Sequence, residues 1–200
     1  MYRSAAYRGL LKSMNYFAIQ VKTGNESKFI RFAENLYPEL RACLLFPQRK
    51  LPVRRKGKTV MTEKPIYPSY VFLYIKTIEP DLYWKLKRIP GYCRFLKRNQ
   101  EKIEPLGGYD RKILEHFLSF GEKVGVSRVR FDENDKIRVL EGPLEGLEGQ
   151  IEKVNKRKKR AKVRLTLYNN SFLIDFPFED MENASKSDGA DKDSGAKKKG

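Results

Sequence analysis

The hydrophobic pattern near the start of the chain predicts a strand followed by a helix. Residues 15–22 alternate apolar and polar side chains, which is the period of a half-buried strand. Thr23 and Glu26 then stand three residues apart, a spacing typical of a capping box at a helix start. Apolar residues recur at helical spacing up to Pro38, which ends the helix: Phe29, Phe32, Ala33 and Leu36.

A second strand-rich stretch follows. Residues 42–55 and 59–67 predict two strands joined at 54–58, where Gly57 can supply the positive φ of a tight turn. Residues 70–75 predict a strand with aliphatic side chains on one face and only aromatic ones on the other: Tyr70, Phe72 and Tyr74. An all-aromatic face is either a second core layer or an exposed patch for a partner, and the strand alone favours the core.

The remaining pattern up to residue 120 completes an α+β sandwich. Pro80 can open a short helix over 81–88, residues 92–96 predict a strand, and Asp110 can cap a helix that extends to about 120. The predicted order β-α-β-β-β-α-β-α is typical of a mostly antiparallel sheet flanked by helices. We therefore predict one α+β domain over 15–120.

The second half of the chain has a different composition. Two glycines in 121–129 predict a linker, and several short strands separated by glycines in 130–182 predict a small β-barrel. Residues 183–200 hold no large apolar side chain, so we expect a disordered basic tail, and residues 1–14 are expected to be a disordered extension. Met14 is an alternative start to Met1.

Charge indicates a nucleic-acid partner rather than catalysis. The 200 residues carry a formal charge of +17, and eight basic residues with no acid lie between Lys153 and Arg164. A single histidine, His116, and two cysteines leave little material for a metal site or a nucleophile–base pair, so we expect no enzyme, no metal and no cofactor. No apolar run is long enough to span a bilayer, so the chain is expected to be cytoplasmic, monomeric and without a membrane partner.

Three stretches resemble the NusG family of transcription elongation and antitermination factors. The opening Tyr-Phe-Ala-Ile-Gln-Val at 16–21 with Thr-Gly-Asn-Glu at 23–26 is similar to the family's first strand and helix start. Ile-Tyr-Pro-Ser-Tyr-Val-Phe at 66–72 resembles its Phe-Pro-Gly-Tyr-Val signature, and 136–151 resembles its KOW motif. The resemblance implies a NusG-type N-terminal (NGN) domain over 15–120 and an SH3-like KOW barrel over 130–182. Ser69 and Tyr67 replace a glycine and a phenylalanine of the signature, which points to a specialised paralogue such as RfaH or LoaP.

The resemblance also implies partners and reverses the core interpretation of the aromatic face. In the family this surface binds the clamp helices of the largest subunit of RNA polymerase. Carried over by position, the polymerase-binding residues are Tyr16, Ala18, Gln20, Tyr67, Tyr70 and Phe72. The family's domain also lies near non-template DNA, and position assigns that contact to Tyr83, Lys85, Lys87 and Arg88, whereas Trp84 and Leu86 are expected to pack against the sheet.

The basic run in the second domain is the remaining candidate site. As a turn between two barrel strands it is either a solvated loop or a phosphate-binding surface for a structured leader RNA. The RNA-binding candidates are Lys153, Lys156, Arg157, Lys158, Lys159, Arg160 and Lys162. If they do not bind RNA, the barrel is expected to bind a protein such as ribosomal protein S10. The alternative function is that of a ribosome-associated KOW-domain RNA-binding protein.

Overall fold

The computed structural model describes residues 14–97, 102–168 and 170–181. The predictions for the chain ends, 1–13 and 182–200, lie outside the described residues. The helices are α1 (Glu26–Leu36), α2 (Pro80–Lys87) and α3 (Gly108–Ser119), with short 3-10 turns at Pro38–Leu40 and Glu148–Gln150. The strands are β1 (Asn15–Val21), β2 (Leu44–Leu45), β3 (Gln48–Arg55), β4 (Lys58–Pro65), β5 (Tyr70–Ile75), β6 (Tyr92–Phe95), β7 (Lys123–Val124), β8 (Ser127–Phe131), β9 (Ile137–Glu141), β10 (Ile151–Asn155), β11 (Arg160–Leu167) and β12 (Asn170–Asp180).

These elements divide into two compact units. Of the described residues, the first unit comprises those in 14–49, 63–124 and 166–171, and the second comprises those in 50–62, 125–165 and 172–181. The outer part of the β3–β4 hairpin is therefore grouped with the second unit. Strand β7 and the first residues of β8 lie within 121–129, the segment that was expected to be a linker.

The first unit is built on a four-stranded sheet with the order β2-β5-β1-β6. Strand β1 pairs antiparallel with β5 and with β6, and Ala18 lies opposite Phe72. The aliphatic face of this sheet is the main core, because Phe17, Ile19, Val71 and Leu73 pack with residues of α1 and α2. The predicted faces of β1 and β5 are thus confirmed on this side of the sheet.

The second unit is rich in β-structure. Its five-stranded sheet has the order β10-β11-β12-β8-β9, with β8 parallel to β12 and antiparallel to β9. Inward residues on alternate positions of β11, such as Ala161, Val163 and Leu165, are fully buried. The α+β class is confirmed, with a helix-flanked sheet in one unit and a β-rich second unit.

Two predicted caps are wrong, and one turn is confirmed. The structure shows no side-chain capping bond at α1, and α3 begins at Gly108 rather than after Asp110. Asp110 lies instead in the first turn of α3, where its carboxylate accepts a hydrogen bond from the Tyr168 backbone N–H at 2.8 Å. Gly57 does adopt a positive φ, 80°, at the tip of the β3–β4 hairpin.

Candidate functional site

Most of the aromatic face assigned to polymerase binding is buried in the structure. Phe72 is fully buried, and Ala18, Tyr67 and Tyr70 are at most 4% exposed. The Tyr67 ring meets Phe72 edge to face, with centroids 5.4 Å apart. The expectation that these side chains form an exposed patch is therefore wrong, and the core interpretation of β5 was the better one.

Helix α3 lies against part of this aromatic face. Its Ile113, Leu114 and Phe117 are buried, and the Arg111 guanidinium lies 5.4 Å from the centre of the Tyr16 ring on β1. Asp110 of the same helix is close enough to Tyr67 to add to the effect of burial, which raises the pKa of that phenol. Tyr16 and Tyr67 thus lie next to α3, and the other residues of this side, Ala18, Tyr70 and Phe72, are buried as well.

An aromatic pair remains accessible where β1 and β5 meet. Tyr16 and Tyr74 lie opposite each other and stack at 4.6 Å between centroids, and both are half-buried. Burial, followed by the neighbouring Tyr74 and Glu115, raises the pKa of Tyr16 to about 12. Gln20 accepts a hydrogen bond from Arg94 Nε at 2.8 Å. Tyr74 was not among the site residues chosen from sequence, although strand parity places it on the same face as Phe72.

Ser69 anchors the signature turn to the start of α1. It adopts a positive φ of 73°, a conformation that glycine adopts more easily. Its N–H donates to the Glu26 carboxylate at 2.8 Å, and its hydroxyl lies 2.7 Å from the Thr23 hydroxyl. Glu26 and Thr23 are therefore engaged with Ser69, which explains why no capping box forms. These two bonds hold Ser69 in a conformation that is strained for a residue other than glycine.

The surface of α2 differs from the sequence-based assignment. Tyr83 is half-buried, and its ring stacks on that of Phe95 with 5.9 Å between centroids. Of the two residues expected to pack against the sheet, Leu86 is buried, whereas Trp84 is 52% exposed. Lys87 Nζ lies 4.8 Å from the centre of the Trp84 ring, a cation–π geometry.

Two further cations, Lys85 and Arg88, lie near Trp84 in sequence and differ in their surroundings. Lys85 is paired with Asp81 at 2.9 Å and with Glu39 at 3.0 Å, and hydrogen bonds to these carboxylates raise its pKa. Arg88 is exposed. The accessible aromatic–cation group at the C-terminal end of α2 is therefore Trp84, Lys87 and Arg88, the residue that follows the helix.

Acidic side chains partly neutralise the basic run of the second unit. Lys156 pairs with Asp135 and lies 3.9 Å from the centre of the Phe131 ring. Arg160 and Lys162 approach Asp175 at 4.0 and 3.9 Å. Arg157, Lys158 and Lys159 occupy the turn between β10 and β11 and are exposed, and so is Lys153. No residue of this turn other than Lys156 has a carboxylate partner within the described part of the chain.

Neither a metal-binding cluster nor a membrane-spanning helix is found in the part of the chain that the structure describes. Within 14–97, 102–168 and 170–181, no three His, Cys, Asp or Glu side chains are arranged to hold a metal ion. In the same ranges, no helix is both long and apolar enough to cross a membrane.

A helix-flanked aromatic sheet joined in sequence to a β-rich, basic unit defines a two-unit α+β protein. Residues 14–115 match the model of the family described as "Transcription termination factor nusG". The chain is 24% identical over 176 residues to the transcription termination/antitermination protein NusG of Helicobacter pylori, covering 84% of this chain and 98% of that protein. It is also 24% identical over 183 residues to NusG of Thermus thermophilus, covering 86% and 100%.

A solved structure described as domain interaction in Thermotoga maritima NusG is similar at 16% identity and a TM-score of 0.41, covering 84% of this chain and 95% of that one. The family match spans more than half of the chain. The protein therefore belongs to the NusG family and is a NusG-type transcription factor, and proteins of this family work with the transcription machinery.

Proposed function

We propose that this protein is an elongation and antitermination factor that binds RNA polymerase through its first unit and suppresses pausing and termination. The second unit contacts structured RNA or a partner such as ribosomal protein S10. The protein makes and breaks no covalent bond in this proposal. Its binding energy favours one conformation of the polymerase over others, which requires only that it bind that conformation more tightly.

The observation that carries the proposal is the accessible Tyr16–Tyr74 pair at the margin of a buried aromatic layer. Rigid aromatic side chains that are partly exposed at a packed surface are typical anchors of protein interfaces. Tyr16, Gln20 and Tyr74 contact the clamp helices of the polymerase in this proposal. Ala18, Tyr67, Tyr70 and Phe72 support the contact from beneath because they are buried.

The contact with non-template DNA falls on the exposed part of α2. Trp84 offers a ring on which a base can stack, and Lys87 and Arg88 stand beside it to attract phosphates. Tyr83 and Lys85 have supporting roles in this proposal, since one is packed on Phe95 and the other is paired with Asp81 and Glu39.

A binding assay with the full chain tests the polymerase contact. Changing both Tyr16→Ala and Tyr74→Ala should weaken binding to core RNA polymerase by at least about 30-fold, the equivalent of about 2 kcal/mol for an aromatic anchor. The matched control is Phe32→Ala with Leu36→Ala, two apolar side chains that are also exposed but lie on α1. Circular dichroism establishes that both variants are folded.

Binding assays with the same full-length protein also distinguish the proposed function from that of a ribosome-associated RNA-binding protein. Wild-type protein should bind core polymerase, with or without binding to the small ribosomal subunit, and should raise read-through in run-off transcription across a terminator. Equal polymerase affinity for the tyrosine variant and wild type would refute the assigned surface. Capture by the ribosomal subunit alone would favour the ribosome-associated alternative.

A further inference from the structure

Two exposed basic turns lie in the second unit. Turn A is residues 54–58 at the tip of the β3–β4 hairpin, and it carries Arg54, Arg55, Lys56 and Lys58. Turn B is residues 156–159 between β10 and β11. Both turns belong to the same compact unit, although about 100 residues of sequence separate them.

The acidic residues of this unit neutralise the flanks of turn B and leave its centre charged. Asp135 pairs with Lys156, Asp175 approaches Arg160 and Lys162, and Glu152 pairs with Arg164. The central cations of turn B and the four cations of turn A are exposed. None of these seven has an ion-pair partner in the described ranges, so their charge is available to an external anion.

A direct hydrogen bond connects the strands that carry the two turns. Arg160, the residue after turn B, donates from Nη2 to the backbone carbonyl of Pro52 at 2.6 Å. Pro52 is in turn only four residues before Lys56, which limits their Cα separation to about 14 Å even in a fully extended chain. The two turns are therefore close enough for one ligand of nucleic-acid size to contact both.

We infer that turns A and B form a single surface that binds the sugar-phosphate backbone of an RNA duplex. The inference rests on the proposed RNA contact of the second unit and adds turn A to it. Neither turn contains an aromatic residue on which an unpaired base could stack, so a duplex backbone fits better than a single strand. Recognition of this kind depends on shape and phosphate positions and not on base sequence.

Fluorescence anisotropy with the full chain and a labelled RNA hairpin of about 20 base pairs tests the inference. One variant changes Arg54, Arg55 and Lys56 to Gln, and a second changes Arg157, Lys158 and Lys159 to Gln. A charge-matched control changes Lys22, Lys28 and Lys112 to Gln, three exposed residues of the first unit. Duplex DNA and single-stranded RNA of the same sequence are the comparison ligands.

Each turn variant should bind the hairpin at least about tenfold more weakly than wild type. Each should also reduce the slope of log affinity against log salt by about 2 to 3, since each lost phosphate contact contributes about 0.9. The combined variant should lose about twice as much slope, and the control should match wild type.

Each contrary result has its own meaning. Wild-type affinity and slope for the turn A variant would overturn the joint surface and leave a site on turn B alone. Equal binding of duplex DNA, or tighter binding of single-stranded RNA, would overturn the assignment to an RNA duplex. Either failure is distinguishable from failure of the proposed function, because polymerase binding by the Tyr16 and Tyr74 variant is measured without this RNA.

Discussion

Replacement of Phe72 by alanine distinguishes a core residue from a surface anchor at the end of the segment that resembles the NusG signature. Phe72 is fully buried, lies between Ala18 of β1 and Leu45 of β2 in the sheet, and meets Tyr67 edge to face. Truncating a buried phenylalanine removes its transfer free energy and leaves a cavity, which together cost about 3 to 5 kcal/mol. That is a large share of the stability of a typical domain, about 5 to 15 kcal/mol.

Urea unfolding followed by tryptophan fluorescence measures this loss. The chain contains a single tryptophan, Trp84 on α2, so the signal reports the first unit. For a loss of about 4 kcal/mol and an m-value of about 1.5 kcal/mol/M, the midpoint should fall by more than about 2 M. Phe72→Leu keeps most of the volume and should lose only about 1 to 2 kcal/mol, which provides a measurable variant if Phe72→Ala does not fold.

Phe32→Ala is the matched control, because the same substitution is made in the same unit on a side chain that is 46% exposed. It should change the free energy of unfolding by less than about 1 kcal/mol. A Phe72→Ala protein that keeps nearly wild-type stability while losing polymerase binding would refute the reasoning. Phe72 would then be the surface anchor that the family resemblance implied.

Two further predictions concern the second unit and helix α2. Gly142→Ala should destabilise the second unit by at least about 2 kcal/mol in thermal unfolding, because φ is 100° and an added Cβ would lie 2.9 Å from Ser127 Cα. Gly149→Ala is the control and should be nearly neutral, since nothing lies within 4 Å of its added Cβ; equal effects of the two would contradict the argument. Trp84→Ala should weaken binding of single-stranded DNA by about tenfold, while Tyr83→Phe should leave it unchanged, as measured by anisotropy with labelled oligonucleotides. Unchanged affinity of the Trp84 variant would remove α2 from the DNA contact.

Local pattern was sufficient for most of the secondary structure of the first unit. Alternation in β1 and β5, helical spacing in α1 and the glycine at the β3–β4 turn depend on neighbours in sequence, and all four appear in the structure. The aliphatic face of the sheet could likewise be predicted, because alternate residues of a strand lie on the same side of the sheet. The family signature was also local and identified the correct family.

Local pattern was not sufficient where a residue that is distant in the sequence decides between two possible structures. The side chains of Thr23 and Glu26 can cap α1 or bind another group. In the structure both form hydrogen bonds with Ser69, which is more than 40 residues away in the sequence. An all-aromatic strand face can be a core layer or an interface, and only the burial of Tyr70 and Phe72 in the folded chain identified it as core. On α2, the sequence-based prediction placed Tyr83 at the surface and Trp84 in the core, whereas in the structure Tyr83 packs on Phe95 and Trp84 is exposed.

The charged surface shows the same division between sequence and fold. The run of eight cations between Lys153 and Arg164 is a property of the sequence, and it predicted a nucleic-acid surface without further information. Which of those cations remain available was decided by Asp135, Asp175 and Glu152, which come from other strands and loops. Electrostatic pairing acts over a few ångströms in space regardless of separation along the chain, so only the tertiary structure could separate the paired cations from the exposed ones.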